Sequence, residues 1–167
     1  MLYLPRKVYD QVRREAEAAY PAECCGILLG ALDGALDGEM DGSGGGPGDG
    51  PRDGPGDGVA RRVTQAVPAA NASQTPRNHY EIAPLDLIRA ERTARQSGME
   101  ILGFYHSHPD HPARPSATDL AEAHWLGSSY VITSVALGVA SETCSFLLIG
   151  SSEEAKIFQP EEILAGS

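Results

Sequence analysis

An α/β (α+β) domain, with a single mixed β-sheet flanked by helices, is the architecture the sequence predicts. Segments with helical spacing alternate with short β-branched and aromatic runs, the pattern of a layered fold rather than a bundle or sandwich. The 167 residues, 41% of them hydrophobic, suffice for one core, so a single domain over 1–167 is expected. The longest apolar runs, Ile101–Phe104 and Phe146–Ile149, fall far short of the roughly 20 residues a membrane helix needs.

Each element has a local reason. Pro5, followed by Val8, Val12, Ala16 and Ala19, fits an amphipathic helix with proline in its first turn. A strand over Cys25–Leu32 follows, with Val59–Val67 as its hairpin partner. Pro84–Arg95 reads as a helix with Leu87, Ala90 and Ala94 on one face and Gly98 as its stop. A strand comes next over Glu100–His106, then a turn with Pro109, Pro112 and Pro115, then a short helix from Ala117 to about Leu126. Tyr130–Leu137 and Thr143–Ile149 form a hairpin turning near Gly138–Glu142, and Lys156–Phe158 adds an edge strand.

The formal charge of -10 is unevenly placed. Asp33–Gly58 holds seven acidic residues, one arginine, eleven glycines and six Asp-Gly pairs. Its only apolar side chains are Ala35, Leu36 and Met40, too few to offset the entropy of ordering it, so a disordered acidic loop is expected. Neither calcium nonapeptide spacing nor an EF-hand pattern is present. No part of the chain offers a basic face for counterion release, which disfavours a nucleic-acid partner. Three cysteines, two of them adjacent, fit no disulfide framework and no C-x-x-C site. With a start, Met1–Lys7, that lacks a signal-peptide core, they point to a reducing cytoplasm and to no membrane association.

The chemistry is concentrated between His106 and Asp119. On a strand, His106 and His108 project to one face and can share a cation. Asp119, in the first turn of the next helix, is returned toward that strand end by the three-proline reversal and completes a three-ligand set. Such a set leaves a tetrahedral position for water, as catalytic zinc requires. Taken singly, the histidines read equally as a hydrogen-bonded pair, and Ser116 with Asp119 as a helix cap. His79, His111 and His124 read as surface residues, and Cys24, Cys25 and Cys144 as small core residues. It is the joint spacing, His-Ser-His, seven residues, Ser, two residues, Asp, that capping and surface statistics do not produce.

That stretch resembles the JAMM motif of the MPN-domain zinc metalloproteases, His-(Ser/Thr)-His-x7-Ser-x2-Asp, at every position, and is most similar to the compact prokaryotic members. Tyr20–Gly30 resembles the family's glutamate context, with Glu23 as the matching residue, and Asn71 and Tyr80–Ile82 extend the likeness. The resemblance implies an MPN/cytidine-deaminase-like fold and one catalytic zinc ion on His106, His108 and Asp119. It implies Glu23 as general base and Ser116 as oxyanion donor. It also implies hydrolysis after the Gly-Gly tail of a ubiquitin-like or sulfur-carrier protein.

Two other classes compete. A non-catalytic MPN scaffold would need none of the motif residues, all of which are present. A nucleobase deaminase, of related fold, needs a Pro-Cys-x-x-Cys ligand pair, which is absent. Absence of a structured insertion between Asp119 and Ile149 argues against polyubiquitin chains as substrate.

Overall fold

The computed structural model describes residues 1–33 and 59–166. The expected acidic loop therefore lies, beyond Asp33, outside the described residues. Among the latter, the chain runs β1 (Leu2–Pro5), α1 (Arg6–Ala19), β2 (Cys25–Leu32), β3 (Arg61–Ala69), α2 (Pro84–Gln96) and β4 (Glu100–Pro109). It continues through α3 (Ala117–Glu122), β5 (Ser129–Ala136), β6 (Val139–Ile149), β7 (Ile157–Glu161) and β8 (Ile163–Gly166). No described helix is long and apolar enough to cross a membrane.

All strands join one mixed sheet, ordered β7-β6-β5-β4-β2-β3-β1-β8. β2 pairs antiparallel with both β3 and β4, while β4 and β5 run parallel. The outermost strands, β7 and β8, are consecutive in the chain with only Glu162 between them, so the sheet curls until its edges approach. Glu161 sits at that seam. It accepts hydrogen bonds from Ser129 Oγ and Ser145 Oγ at 2.7 and 2.9 Å and pairs with Arg61 at 3.3 Å.

Helices cover both faces. α1 buries Val8 and Val12 against Leu28, Leu102, Tyr105 and Val131. α2 buries Ala90 and Ala94 against Ile27, Leu29, Phe104 and Leu148. The β2–β4 pairing passes from Leu28↔Gly103 to Leu29↔Ile101, leaving Leu102 in a bulge. That bulge resets the alternation of β4, so that Phe104, His106 and His108 face the α2 side while Tyr105 faces α1. Gly26 permits this: a Cβ there would stand 2.2 Å from the Tyr105 ring, which is fully buried and donates to Glu15. We expect Gly26→Ala to lower stability by about 1–3 kcal/mol in denaturant titration, because the strand holding the ring cannot retreat.

Several boundaries differ from the sequence reading. The short helix stops at Glu122 rather than near Leu126, because Ala123 is drawn into the core and Lys156 Nζ takes the carbonyls of Ala121 and Ala123. The hairpin turn is Leu137-Gly138, both at positive φ (50° and 85°), rather than Gly138–Glu142. A two-residue turn of this hand matches strand twist, and Asp110 Oδ1 accepts the Leu137 N–H at 2.9 Å. β4 runs three residues past His106, β7 extends to Glu161, and β1 and β8 were not foreseen.

Candidate metal centre

His106 is paired on both sides of β4, with Cys25 of β2 and Ile132 of β5, and His108 on one, with Ser134 of β5, so the strand's C-terminal end sets both imidazoles. Glu23 reaches them through register. Cys25 of β2 pairs with His106, and two further residues along the antiparallel direction bring Glu23 abreast of His108. The middle residue of the His-Ser-His run points the other way and holds this turn: Cys24 N–H donates to Ser107 Oγ at 2.8 Å, and Ser107 N–H to the Cys24 carbonyl at 3.2 Å. Asn71 ties down the same stretch, donating to the carbonyls of Glu23 (3.1 Å) and His79 (3.0 Å).

Asp119 arrives from the opposite side on α3. Its Oδ2 accepts the Ser116 N–H at 2.7 Å, and its own N–H donates to Ser116 Oγ at 3.0 Å, a reciprocal capping box. The carboxylate is thus held by the backbone it caps while its oxygens face the rings. His106 Nε2 stands 3.4 Å from Oδ1, His108 Nε2 3.2 Å from Oδ2, and the two Nε2 atoms are 3.1 Å apart.

These separations test whether the residues suit a cation. Nitrogen and oxygen ligands about 2.0–2.1 Å from one tetrahedral ion lie about 3.3 Å from each other. The three separations, two of them to different oxygens of Asp119, bracket that value, and the donor set of two imidazoles and one carboxylate is that of a borderline ion such as zinc. His108 Nδ1 contacts the Pro112 carbonyl at 2.9 Å, which fixes the proton on Nδ1 and turns the Nε2 lone pair inward. The His106 ring stacks on Tyr80 at 4.3 Å, and its buried Nδ1 has no partner among the described residues.

Electrostatics separate the two carboxylates. Burial pushes Glu23 up to about 7, with Asp119 adding to the rise and His108 opposing it. Asp119 is also disfavoured by burial, yet the facing rings of His106 and His108 and the Ser116 N–H hold it well below the usual carboxylate range. One carboxylate is therefore a committed anion, and the other is poised to exchange a proton near neutral pH. Glu23 Oε2 is buried and unpartnered among the described residues.

The structure thus brings together His106, His108, Asp119 and Glu23, with Ser116 at the exposed rim. Ser116 carries two readings from the sequence, a helix cap and, by resemblance, an oxyanion donor, and both call on one hydroxyl. The geometry removes the conflict: capping uses an oxygen lone pair, while the O–H donates to no described atom. His79 departs from its surface reading. It is half-buried, with Nδ1 2.6 Å from Ser73 Oγ and Nε2 2.6 Å from Glu122 Oε2. No periodicity marks His79, Asn71 or Ser107. The polar residues flanking the strand ends were the available signal. His111 is exposed, and His124 lies past α3 beside Glu153. Burial pushes the Cys24 and Cys25 thiols up to about 11 and about 12, so neither supplies a thiolate. Beside His106, a cleft of about 340 Å3 opens between Tyr80, Ile82, Leu87, Phe104 and Trp125, with His79 at its edge.

Residues 5–149 match the family described as prokaryotic homologs of the JAB domain. The chain is 39% identical over 127 residues to a desampylase of Haloferax volcanii, covering 76% of this chain and 73% of that protein. It is 37% identical over 125 residues to a probable TtuB-protein conjugate cleaving protease of Thermus thermophilus, covering 75% of this chain and 65% of that one. Among solved structures, a protein from Desulfitobacterium hafniense superposes with TM-score 0.72 at 29% identity, over 99% of this chain and 92% of the other. A JAB1/MPN domain protein from Archaeoglobus fulgidus superposes at TM-score 0.50 and 15% identity over the whole of both chains, a likeness of fold alone.

Proposed function

The chain belongs to the family of prokaryotic homologs of the JAB domain, and from that membership we propose that it is a JAMM-type metallopeptidase or isopeptidase. Its substrate is a ubiquitin-like or sulfur-carrier protein, cut after a Gly-Gly tail. The observation that carries this reading is the convergence of His106, His108 and Asp119 on one point with the buried, unpartnered Glu23 oxygen beside it. The relatives named a desampylase and a probable TtuB-protein conjugate cleaving protease support the substrate class.

His106, His108 and Asp119 would hold one zinc ion. Bound there, it supplies Lewis acidity and lowers the pKa of a water toward about 7. Glu23 takes the proton that the attacking water loses and returns it to the departing amine, the work of a buried carboxyl that is not itself a ligand. Ser116 donates its free O–H to the oxygen on which charge develops. His108 is kept in one tautomer by the Pro112 carbonyl. The tail lies extended beside Tyr80–Ile82, its upstream side chains over the apolar cleft and its glycines toward the rings.

The decisive assay uses a carrier protein fused through Gly-Gly to a reporter peptide. Cleavage after the second glycine, abolished by a chelator and restored by zinc, is the expected result; an intact fusion with fully metallated protein refutes the reading. Ser116→Ala should lower kcat by about a hundredfold or more, with KM little changed, since an oxyanion donor contributes about 2.7–4 kcal/mol in the transition state alone. Metal affinity in that variant should fall only slightly, because losing the cap costs about 1 kcal/mol.

A further inference from the structure

α3 presents a physical problem. It is six residues long, and none of the six is buried. A helix so short has no stability of its own, since isolated helices below about 12–15 residues are marginal in water. Yet its first turn carries Asp119, and a helix of this length is a rigid lever only about 9 Å long. Whatever fixes its far end also fixes the carboxylate.

The far end is held by Lys156, beside the packing of Leu120 and Ala123 against the core. The lysine side chain is among the few charged groups taken into the interior, with 7% of its surface exposed. Its Nζ donates to the Ala123 carbonyl at 2.7 Å, to the Ala121 carbonyl at 3.2 Å and to Glu153 Oε2 at 2.6 Å. A cation on the last carbonyls of a helix satisfies acceptors that the helix cannot and opposes its dipole. Lys156 lies just before β7, which hydrogen-bonds to β6, so the tie anchors α3 to the sheet edge rather than to another loop. Glu122 is tied separately to His79, but that carboxylate is half-exposed and solvent screens the contact.

We propose that Lys156 is a positioning residue for the metal centre: by holding the carbonyls at the end of α3, its ammonium sets the direction of the helix and the placement of Asp119 against the two imidazoles. The inference rests on the reading of Asp119 as a ligand. Lys156 touches neither metal nor substrate, and its effect passes through four peptide units of helix.

The test uses the full chain. Lys156→Met keeps the apolar stem and removes the charge; Lys156→Arg keeps a cation. Zinc dissociation constants come from competition with a chromophoric chelator, and amide exchange is followed on metal-free protein. In Lys156→Met, zinc binding should weaken about tenfold. The amides of Leu120 and Ala123, which bond to the carbonyls of Ser116 and Asp119 within α3, should exchange several-fold faster, while β4 amides keep their wild-type rates. Lys156→Arg should recover much of both. Wild-type zinc affinity and unchanged α3 exchange in Lys156→Met overturn the proposal, as does equal acceleration throughout β4, the mark of general loosening. Should Lys156→Met not fold, Glu153→Gln decides: binding about twofold weaker supports the tie, and wild-type binding overturns it. If the wild type itself holds no zinc, the metal reading falls, while the exchange comparison still reports on the tie.

Discussion

Glu23→Gln should leave the metal bound and the fold intact while turnover falls by about 10² to 10⁴, the usual contribution of a positioned general base. Glutamine has nearly the same shape and cannot take a proton. The backbone contacts that place residue 23, to Pro76, Asn71 and the Cys24–Ser107 pair, do not involve its side chain. KM should therefore change little, and metal content by atomic absorption should match wild type. A second signature comes from linkage. The folded pKa of Glu23, about 7, lies above its ordinary 4.5 because burial disfavours the anion. The folded state then binds more protons than the unfolded state between those values, so metal-free wild type loses stability as pH rises through that window and carries the full cost above 7. Metal-free Glu23→Gln lacks that slope and should gain on wild type from pH 5 to pH 8 in paired melts. Turnover within threefold of wild type would remove Glu23 from the mechanism.

Removing the charge of Asp119 should release the metal. Asp119→Asn keeps an oxygen to accept the Ser116 N–H, so the capping box and the helix persist. What disappears is the only anion in the ligand set. Zinc affinity should drop by more than about a hundredfold, beyond the loss usual for residues that merely support a ligand. Activity should fall with it and return in part at high zinc. Asp119→Ala also loses the bond from the Ser116 N–H, the reciprocal half of the capping box, and the difference in melting between the two substitutions isolates it at about 0.5–1.5 kcal/mol. Full zinc stoichiometry at micromolar concentration in Asp119→Asn would mean that the two imidazoles and the carboxylate do not share an ion.

What the sequence determined by itself is whatever depends on local spacing. The two-residue period of a strand places His106 and His108 on one face, and Ser116-x-x-Asp119 is a capping box by its spacing. The amphipathic faces of α1 and α2 follow from the 3.6-residue period, and Val8, Val12, Ala90 and Ala94 are buried as that period requires. The family resemblance supplied Glu23, which no local spacing connects with the histidines. Only the tertiary structure places it, through an antiparallel register that aligns Cys25 with His106 and a bulge at Leu102 that turns Phe104 and both imidazoles toward α2. β1 and β8 were invisible because each has four residues and pairs in parallel with distant segments, so their stability is non-local. Lys156 read as the start of an edge strand, and nothing in its neighbours indicates an ammonium buried against the carbonyls of a helix more than thirty residues earlier. Side-chain periodicity reports which way a residue faces; which distant backbone it meets depends on how the sheet curls and where its bulges fall.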